Sequence, residues 1–258
     1  MPYLSKILIY PIKSFDAVEV PAAQILPGGA IAHDREFAMV DEQGQFVHGK
    51  RTEKIHSVRS RFDLSARTVT LRVEGQGQSH AFHLDSDRPA LGSWLSDYFG
   101  TPITLQQNLH MGFPDDTLAS GATVVAVESL RAIASWFPGM TLEEVRQRFR
   151  ANLEIEDAPA FWEDQLMSEP GQLLPFQIGE VAFWGSNPCA RCIVPTRNPW
   201  VGARDRHFQK EFIAQRKATL PAWAKPSRFD HFYRLSLNTQ VLPDQAGKTL
   251  RLNDLVSL

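Results

Sequence analysis

A chain of 258 residues with 27 Lys and Arg against 29 Asp and Glu carries a formal charge of −2. At 43% hydrophobic and 22% charged residues it has the composition of an ordinary globular protein able to bury a core, which excludes fibrous and disordered classes. So even a charge balance offers no broad basic face for nucleic acid or an anionic membrane, so any anion site must be a local cluster and the partner read from composition is a small molecule.

In chain order, Leu4 to Tyr10 reads as a first strand and Val18 to Leu26 as a second. Glu36 to Val40 runs through Asp41-Glu42-Gln43-Gly44 into Gln45 to His48, which predicts a hairpin from its turn residues. Val58 to Leu64 and Val69 to Val73 are strand-like, with Gly75 to Ser79 a loop. Leu91, Trp94, Leu95, Tyr98 and Phe99 recur at helical spacing, with Pro89 near the start and Gly100 past the end, so Ala90 to Phe99 is the clearest helix. Ile103 to Gln106 reads as a strand. The stretch Asn108 to Gly121 has no periodicity and places a domain boundary, giving units 1–120 and 121–258.

In the second unit Thr123 to Val127 predicts a strand, with Ser129 as N-cap of a helix to Trp136. Thr141 and Glu144 form a capping-box pattern for a short helix to Arg148. Asn152 to Ile155, Gln177 to Trp184 and Arg191 to Val194 are strand-like, and Asp205 caps a helix bearing Phe208, Phe212 and Ile213. Phe232 to Leu237 and Thr249 to Leu252 close the chain as strands. Connections this short predict antiparallel pairing and a β-rich α+β protein.

The strongest chemical signal is Cys189-Ala190-Arg191-Cys192, which holds both cysteines of the chain. A neighbouring arginine favours a thiolate, hence a nucleophile or a metal ligand. Zinc would need two further ligands, and His207 and His231 stand at no usual spacing. A pair of small buried cysteines is the bland alternative. Two cysteines exclude a disulfide scaffold and point to a reducing compartment. The apolar run Ile7 to Tyr10 stops at Pro11, short of a signal peptide, and no stretch approaches the roughly 20 apolar residues of a membrane span. The expectation is a cytoplasmic, unanchored protein.

Lys13 and Ser14, in Pro11-Ile12-Lys13-Ser14, together with Arg35 in His33-Asp34-Arg35, would make a phosphate site if strand ends bring them together. Taken singly, each is more often a solvated surface residue. Arg148-Phe149-Arg150-Ala151-Asn152 could grip a polar anion, although a helix C-terminus attracts arginines anyway. Gly44 to Lys50 has the glycine and lysine spacing of a phosphate-binding loop. Arg51 stands where Ser or Thr must ligate magnesium, which sets nucleotide binding aside.

Several of these pieces fall together in one order. Ile9-Tyr10-Pro11-Ile12-Lys13-Ser14, Asp34-Arg35-Glu36-Phe37, Trp94-Leu95-Ser96, Phe149-Arg150-Ala151-Asn152, Cys189-Ala190-Arg191-Cys192 and Leu250-Arg251-Leu252-Asn253-Asp254 span nearly the whole chain. In them the chain resembles the MOSC proteins with an N-terminal β-barrel domain, the group that includes the mitochondrial amidoxime-reducing component and its bacterial relatives. The resemblance implies two antiparallel, barrel-like parts with a few short helices, and a molybdenum cofactor (molybdopterin) in the cleft between them. It makes Cys192 the protein ligand to molybdenum and the catalytic position. Lys13, Ser14, Arg35, Arg150, Asn152 and Arg191 become cofactor-binding positions. The stretch Pro195-Thr196-Arg197-Asn198-Pro199-Trp200-Val201-Gly202 departs from the Thr-Thr-Val-Asp-Pro-x-Thr-Gly of better-known members, which leaves substrate choice open.

The implied activity is reduction of N-oxygenated compounds by an oxidoreductase taking electrons from a separate donor protein, since no iron–sulfur domain or membrane anchor is present in the sequence. The competing class is a sulfur carrier or thiol-redox enzyme using both cysteines. A third is a non-catalytic module that stores or hands on the pterin.

Overall fold

The computed structural model describes residues 1–258. The first strand, β1 (Tyr3–Ile9), is followed by β2 (Val18–Val20), β3 (Ala22–Gln24), β4 (Phe37–Asp41), β5 (Val58–Asp63), β6 (Thr68–Val73) and β7 (Ser79–His83). Helix α1 (Arg88–Phe99) leads to β8 (Ile103–Gln107). Then come β9 (Val124–Ala126), α2 (Val127–Trp136), α3 (Leu142–Phe149), β10 (Leu153–Glu156), β11 (Leu174–Ile178) and β12 (Val181–Ala190). Helix α4 (Phe208–Ala218), β13 (Arg234–Gln240), β14 (Thr249–Arg251) and β15 (Val256–Ser257) complete the chain.

Eight strands form one sheet in the order β15-β11-β12-β13-β9-β10-β1-β2, while β5-β6-β7, β4-β8 and β3-β14 pair separately. The α+β class holds, but no ladder closes into a barrel. The edge strand β15 comes back toward β1 only through an isolated bridge between Leu255 and Tyr3. The ladders are antiparallel except β9 with β10, whose parallel register needs a crossover, and α2 and α3 supply it. β1 and β2 belong to this large sheet although they begin the chain, so the first residues are built into the second half.

Alternation along a strand explains how the sheet divides the core. Val124 packs with Leu4, Ile7 and Leu153 on one face, whereas Val125 packs with Leu130, Ile133, Phe149, Phe208 and Phe212 on the helical face. A separate cluster around Ile12, Phe37, Met39, Leu91 and Leu95 holds β4 and the strands around it against α1. On the buried side of α4, Arg216 is 1% exposed, pairs with Asp164 and lies 4.1 Å from the Phe161 ring centroid.

Several elements depart from the sequence reading for identifiable reasons. Pro21 splits the expected second strand into β2 and β3, which pair with β1 and β14. The arm Gln45 to His48 makes only one bridge, Phe46 to Val40, because β4 takes β8 as its full partner. Ser79 to His83 is a strand, β7, laid against β6. Gly179, at a φ of +57°, breaks Gln177 to Trp184 into the hairpin β11-β12. Ser129 lies inside α2, where its hydroxyl donates to Glu163 and accepts from the Phe161 N–H. Asp205 accepts from the N–H groups of His207 and Phe208, yet α4 itself starts with no side-chain cap. Arg191 to Val194 is a bend, not a strand, since β12 stops at Ala190. Thr141 does accept from the Glu144 N–H, as the capping-box pattern requires.

Candidate functional site

Backbone pairing assembles the site's first wall. After β1 the chain runs beside Arg35 to Phe37, with Arg35 N–H donating to Tyr10 O (2.8 Å), Phe37 N–H to Pro11 O (2.9 Å) and Lys13 N–H to Phe37 O (2.8 Å). This places Lys13 and Arg35 side by side. Ser14 and Arg35 adopt left-handed φ values of 77° and 49°, conformations that non-glycine residues hold only where their surroundings enforce them. Because β10 pairs with β1 from Ile7 to Leu153, Arg150 and Asn152 arrive at the same end. Arg150 is the left-handed C-cap of α3.

Between these elements lies a cavity of about 500 Å³, and all seven residues singled out in the sequence line it: Lys13, Ser14, Arg35, Arg150, Asn152, Arg191 and Cys192. The loop Pro114 to Gly121 and the residues His48, Gly49, Lys50, His56 and Arg59 line it too. Sequence reasoning passed over His56 and Arg59, which carry no local motif. It set Lys50 aside with the rejected phosphate loop.

The charges divide into paired and unpaired. Arg35 pairs with Asp34, whose other oxygen accepts from the Tyr10 N–H (2.9 Å). Lys13 meets Asp115 at 2.6 Å, and Arg59 meets Asp16 at 3.2 Å. Arg150 donates to Phe15 O and lies 4.1 Å from the Tyr10 ring centroid, with no carboxylate in pairing range. Burial pulls its pKa down, and Tyr10, Asp16 and Asp34 offset only part of the fall. Burial also pushes the Tyr10 phenol up to about 12 against the pull of Arg150 and Arg35. His56 is brought down to about 4, first by burial and then by Arg150, Arg197, Arg59 and Arg148, so it is neutral at pH 7. Its Nε2 and the Nε of Arg59 are buried without partners. Buried polar atoms left so are the exception and point to something that completes them.

Asn152 is 2% exposed, and its amide stitches the framework. Its Nδ2 donates to Leu8 O (3.0 Å), while Oδ1 accepts from Thr123 and, at 3.4 Å, from Arg35. It therefore bears on the cavity through Arg35. Arg191 donates to Cys189 Sγ at 3.1 Å and to Phe149 O, so the arginine between the two cysteines touches the first of them. Cys189 and Cys192 are both free thiols.

No cluster of three His, Cys, Asp or Glu side chains able to hold a metal ion exists in the structure. A metal held by protein ligands alone does not fit. A metal that arrives with most of its ligands supplied by an anionic organic group does fit, since one soft sulfur at Cys192 and a wall of cations answer its needs.

The cleft is lined from two sides by cations and carries the Cys192 thiol. The family described as the MOSC N-terminal beta barrel domain matches residues 1–102, and the MOSC domain matches residues 106–236. The chain belongs to the MOSC-domain family. It is 34% identical over 234 residues to molybdenum cofactor sulfurase 3 of Aedes aegypti, covering 74% of this chain and 29% of that protein. It is 27% identical over 236 residues to the molybdenum cofactor sulfurase of Drosophila grimshawi, covering 79% and 29%. With the human molybdenum cofactor sulfurase it shares 24% over 255 residues, covering 80% and 28%. The chain thus spans less than a third of the length of these curated relatives. No helix is long and apolar enough to cross a membrane.

Proposed function

We propose that this chain binds a molybdenum cofactor in the cleft and reduces N-oxygenated compounds with electrons from a separate donor protein. One observation carries the binding half: residues from four separate segments converge on a single cavity whose half-buried Arg150 makes no ion pair. A half-buried guanidinium without an ion pair costs stability, and an anionic ligand offsets that cost. Lys13, Ser14 and Arg35 would hold the phosphate and pterin end, Arg150 and Arg191 would add contacts from the other wall, and Cys192 would ligate the metal. When bound, the cofactor supplies two-electron redox chemistry. In the net reaction the N–O bond breaks and oxygen leaves as water, consuming two electrons from the donor protein and two protons. The choice of substrate class rests on the segmental resemblance seen in the sequence.

A second reading is favoured by one contact. Arg191 donates to Cys189, not Cys192, and the relatives named above are cofactor sulfurases. Sulfur transfer would need both thiols.

The test is elemental and pterin analysis of protein from a host that makes the cofactor, followed by assay on an N-hydroxylated amidine with a chemical reductant. Near-stoichiometric molybdenum is expected, absent from Cys192→Ala, which should keep its circular dichroism. Cys189→Ser should retain metal and reductase activity. Metal-free wild-type protein overturns the proposal, and loss of function in Cys189→Ser alone moves the reading to sulfur chemistry.

A further inference from the structure

The segment Asn108 to Gly121, unreadable in the sequence, lies along the cleft as a strap. One end is pinned where Asn108 N–H donates to Glu36 O (2.9 Å) and Phe113 N–H to Arg35 O (2.9 Å). Gly112, at a φ of +65°, passes so close to Asp34 O that a Cβ would sit 2.3 Å from it. The other end is pinned by Ser120 Oγ to Gly28 O (2.6 Å) and Gly121 N–H to Thr239 O (3.0 Å). Between Phe113 and Gly121 no backbone-to-backbone hydrogen bond is made. The middle is held only by side chains: Asp115, Asn238 to Asp116 (3.2 Å) and Gln240 to Leu118 O (2.8 Å).

Lys13, 7% exposed, has just two partners at Nζ, and both come from this strap: Phe113 O at 2.8 Å and Asp115 Oδ1 at 2.6 Å. The same oxygen lies 3.5 Å from Lys50 Nζ. Lys50 closes the Gly44 to Lys50 segment that resembled a phosphate loop by spacing, and Gly49 N–H donates to Ser14 Oγ (3.3 Å), tying that turn to the Lys13 turn. Although burial alone would raise its pKa, Asp115 is held well below the usual carboxylate range by Lys13, Lys50 and Arg35. Its side chain is nonetheless 60% exposed, so the anion approaches the lysines from the solvent side.

We propose that Asp115 occupies the phosphate subsite already assigned to Lys13 and Arg35, which Lys50 extends, as an internal competitor that the ligand's phosphate displaces. The inference rests on the reading of the cleft as the seat of an anionic cofactor. Arg35 already has Asp34, so the two lysines share the single charge of Asp115. A phosphate monoester, close to a dianion at neutral pH, matches two lysines better than a carboxylate does. Exchange needs no unfolding, because the strap's pinned ends lie outside the segment that must move. The strap thus satisfies a buried ammonium while the subsite is free of ligand and yields when a stronger anion arrives.

The test is isothermal titration of the full chain with inorganic phosphate at fixed ionic strength, with chymotryptic cleavage of the strap as a second readout. Asp115→Asn should bind phosphate about tenfold tighter than wild type, and Lys50→Ala several-fold more weakly. Asp116→Asn, in the same strap but off the lysines, should leave affinity unchanged. Phosphate should speed wild-type cleavage at Leu118, and Asp115→Asn should show that faster cleavage without phosphate. Equal or weaker binding by Asp115→Asn overturns the competitor role, as does equal tightening by Asp116→Asn. If wild type then binds phosphate and Lys13→Ala does not, the anionic-cofactor reading stands alone. Absence of phosphate binding in both wild type and Asp115→Asn overturns the two together.

Discussion

Two arginines in this molecule, one buried and one half-buried, have opposite surroundings. Arg216, in α4, pairs with Asp164 and lies against the rings of Phe161 and Phe229 at 4.1 and 5.1 Å. Arg150, at the end of α3, lies against Tyr10 and faces the cleft with no carboxylate beside it. Both lie close to an aromatic ring, so stacking does not distinguish them. The counter-charge does: the first arginine finds a carboxylate inside the fold, although its Nε and Nη1 stay without hydrogen-bond partners, whereas the second makes no ion pair. Burial raises the pKa of Asp164 and Arg216 opposes the rise, so removing the arginine strands a buried carboxylate.

The sharpest break of that comparison is a matched pair of substitutions. Arg216→Met is expected to cost about 3 to 5 kcal/mol in urea unfolding, because one partner of a buried pair is lost. Arg150→Met removes an uncompensated charge, so its unfolding free energy should equal or exceed that of wild type, while molybdenum content falls. Equal destabilisation by both would show that Arg150 is architectural.

A smaller effect sets a satisfied carboxylate beside these arginines. Burial would raise the pKa of Glu36, but His33, Arg67 and Gln107 bring it down to about 2. A depressed folded pKa contributes stability that is present above the unfolded value, near 4.5, and is lost as pH falls toward 2. Glu36→Gln should therefore cost on the order of 2 kcal/mol at pH 7 and almost nothing at pH 2, measured by denaturation across that range. Smallest is the cap of α3. Thr141→Ala should cost about 1 kcal/mol without changing metal content, since the cap acts on the helix that delivers Arg150 and not on the cleft.

Legibility differed from place to place. The α1 helix was plain because five apolar residues repeat at helical spacing and Gly100 ends it in the left-handed region. β7 was not, because Ser79 to His83 is only partly buried and its sequence lacks an apolar alternation. The strand expected across Val18 to Leu26 failed at Pro21, where a missing N–H lets the chain change partners. At the site, Cys192, Lys13 and Arg35 stood in motifs and were visible one by one. His56 and Arg59 stood in none, and only the packing of β5 and the turn before it against the cleft exposed their unpartnered nitrogens.

The sequence by itself determined local matters: the β-rich α+β class, the Thr141 cap of α3, the end of α1 at Gly100, and the few polar residues that meet at the cleft. These follow from periodicity and side-chain chemistry, which act over a few residues. Tertiary structure alone decided that the large sheet stays open, that β1 joins the second half, and that Asp115 lies on Lys13 across 102 positions of sequence. It also decided which arginine found a carboxylate. Charge pairing depends on distance in space, and the chain specifies that distance only once it has folded.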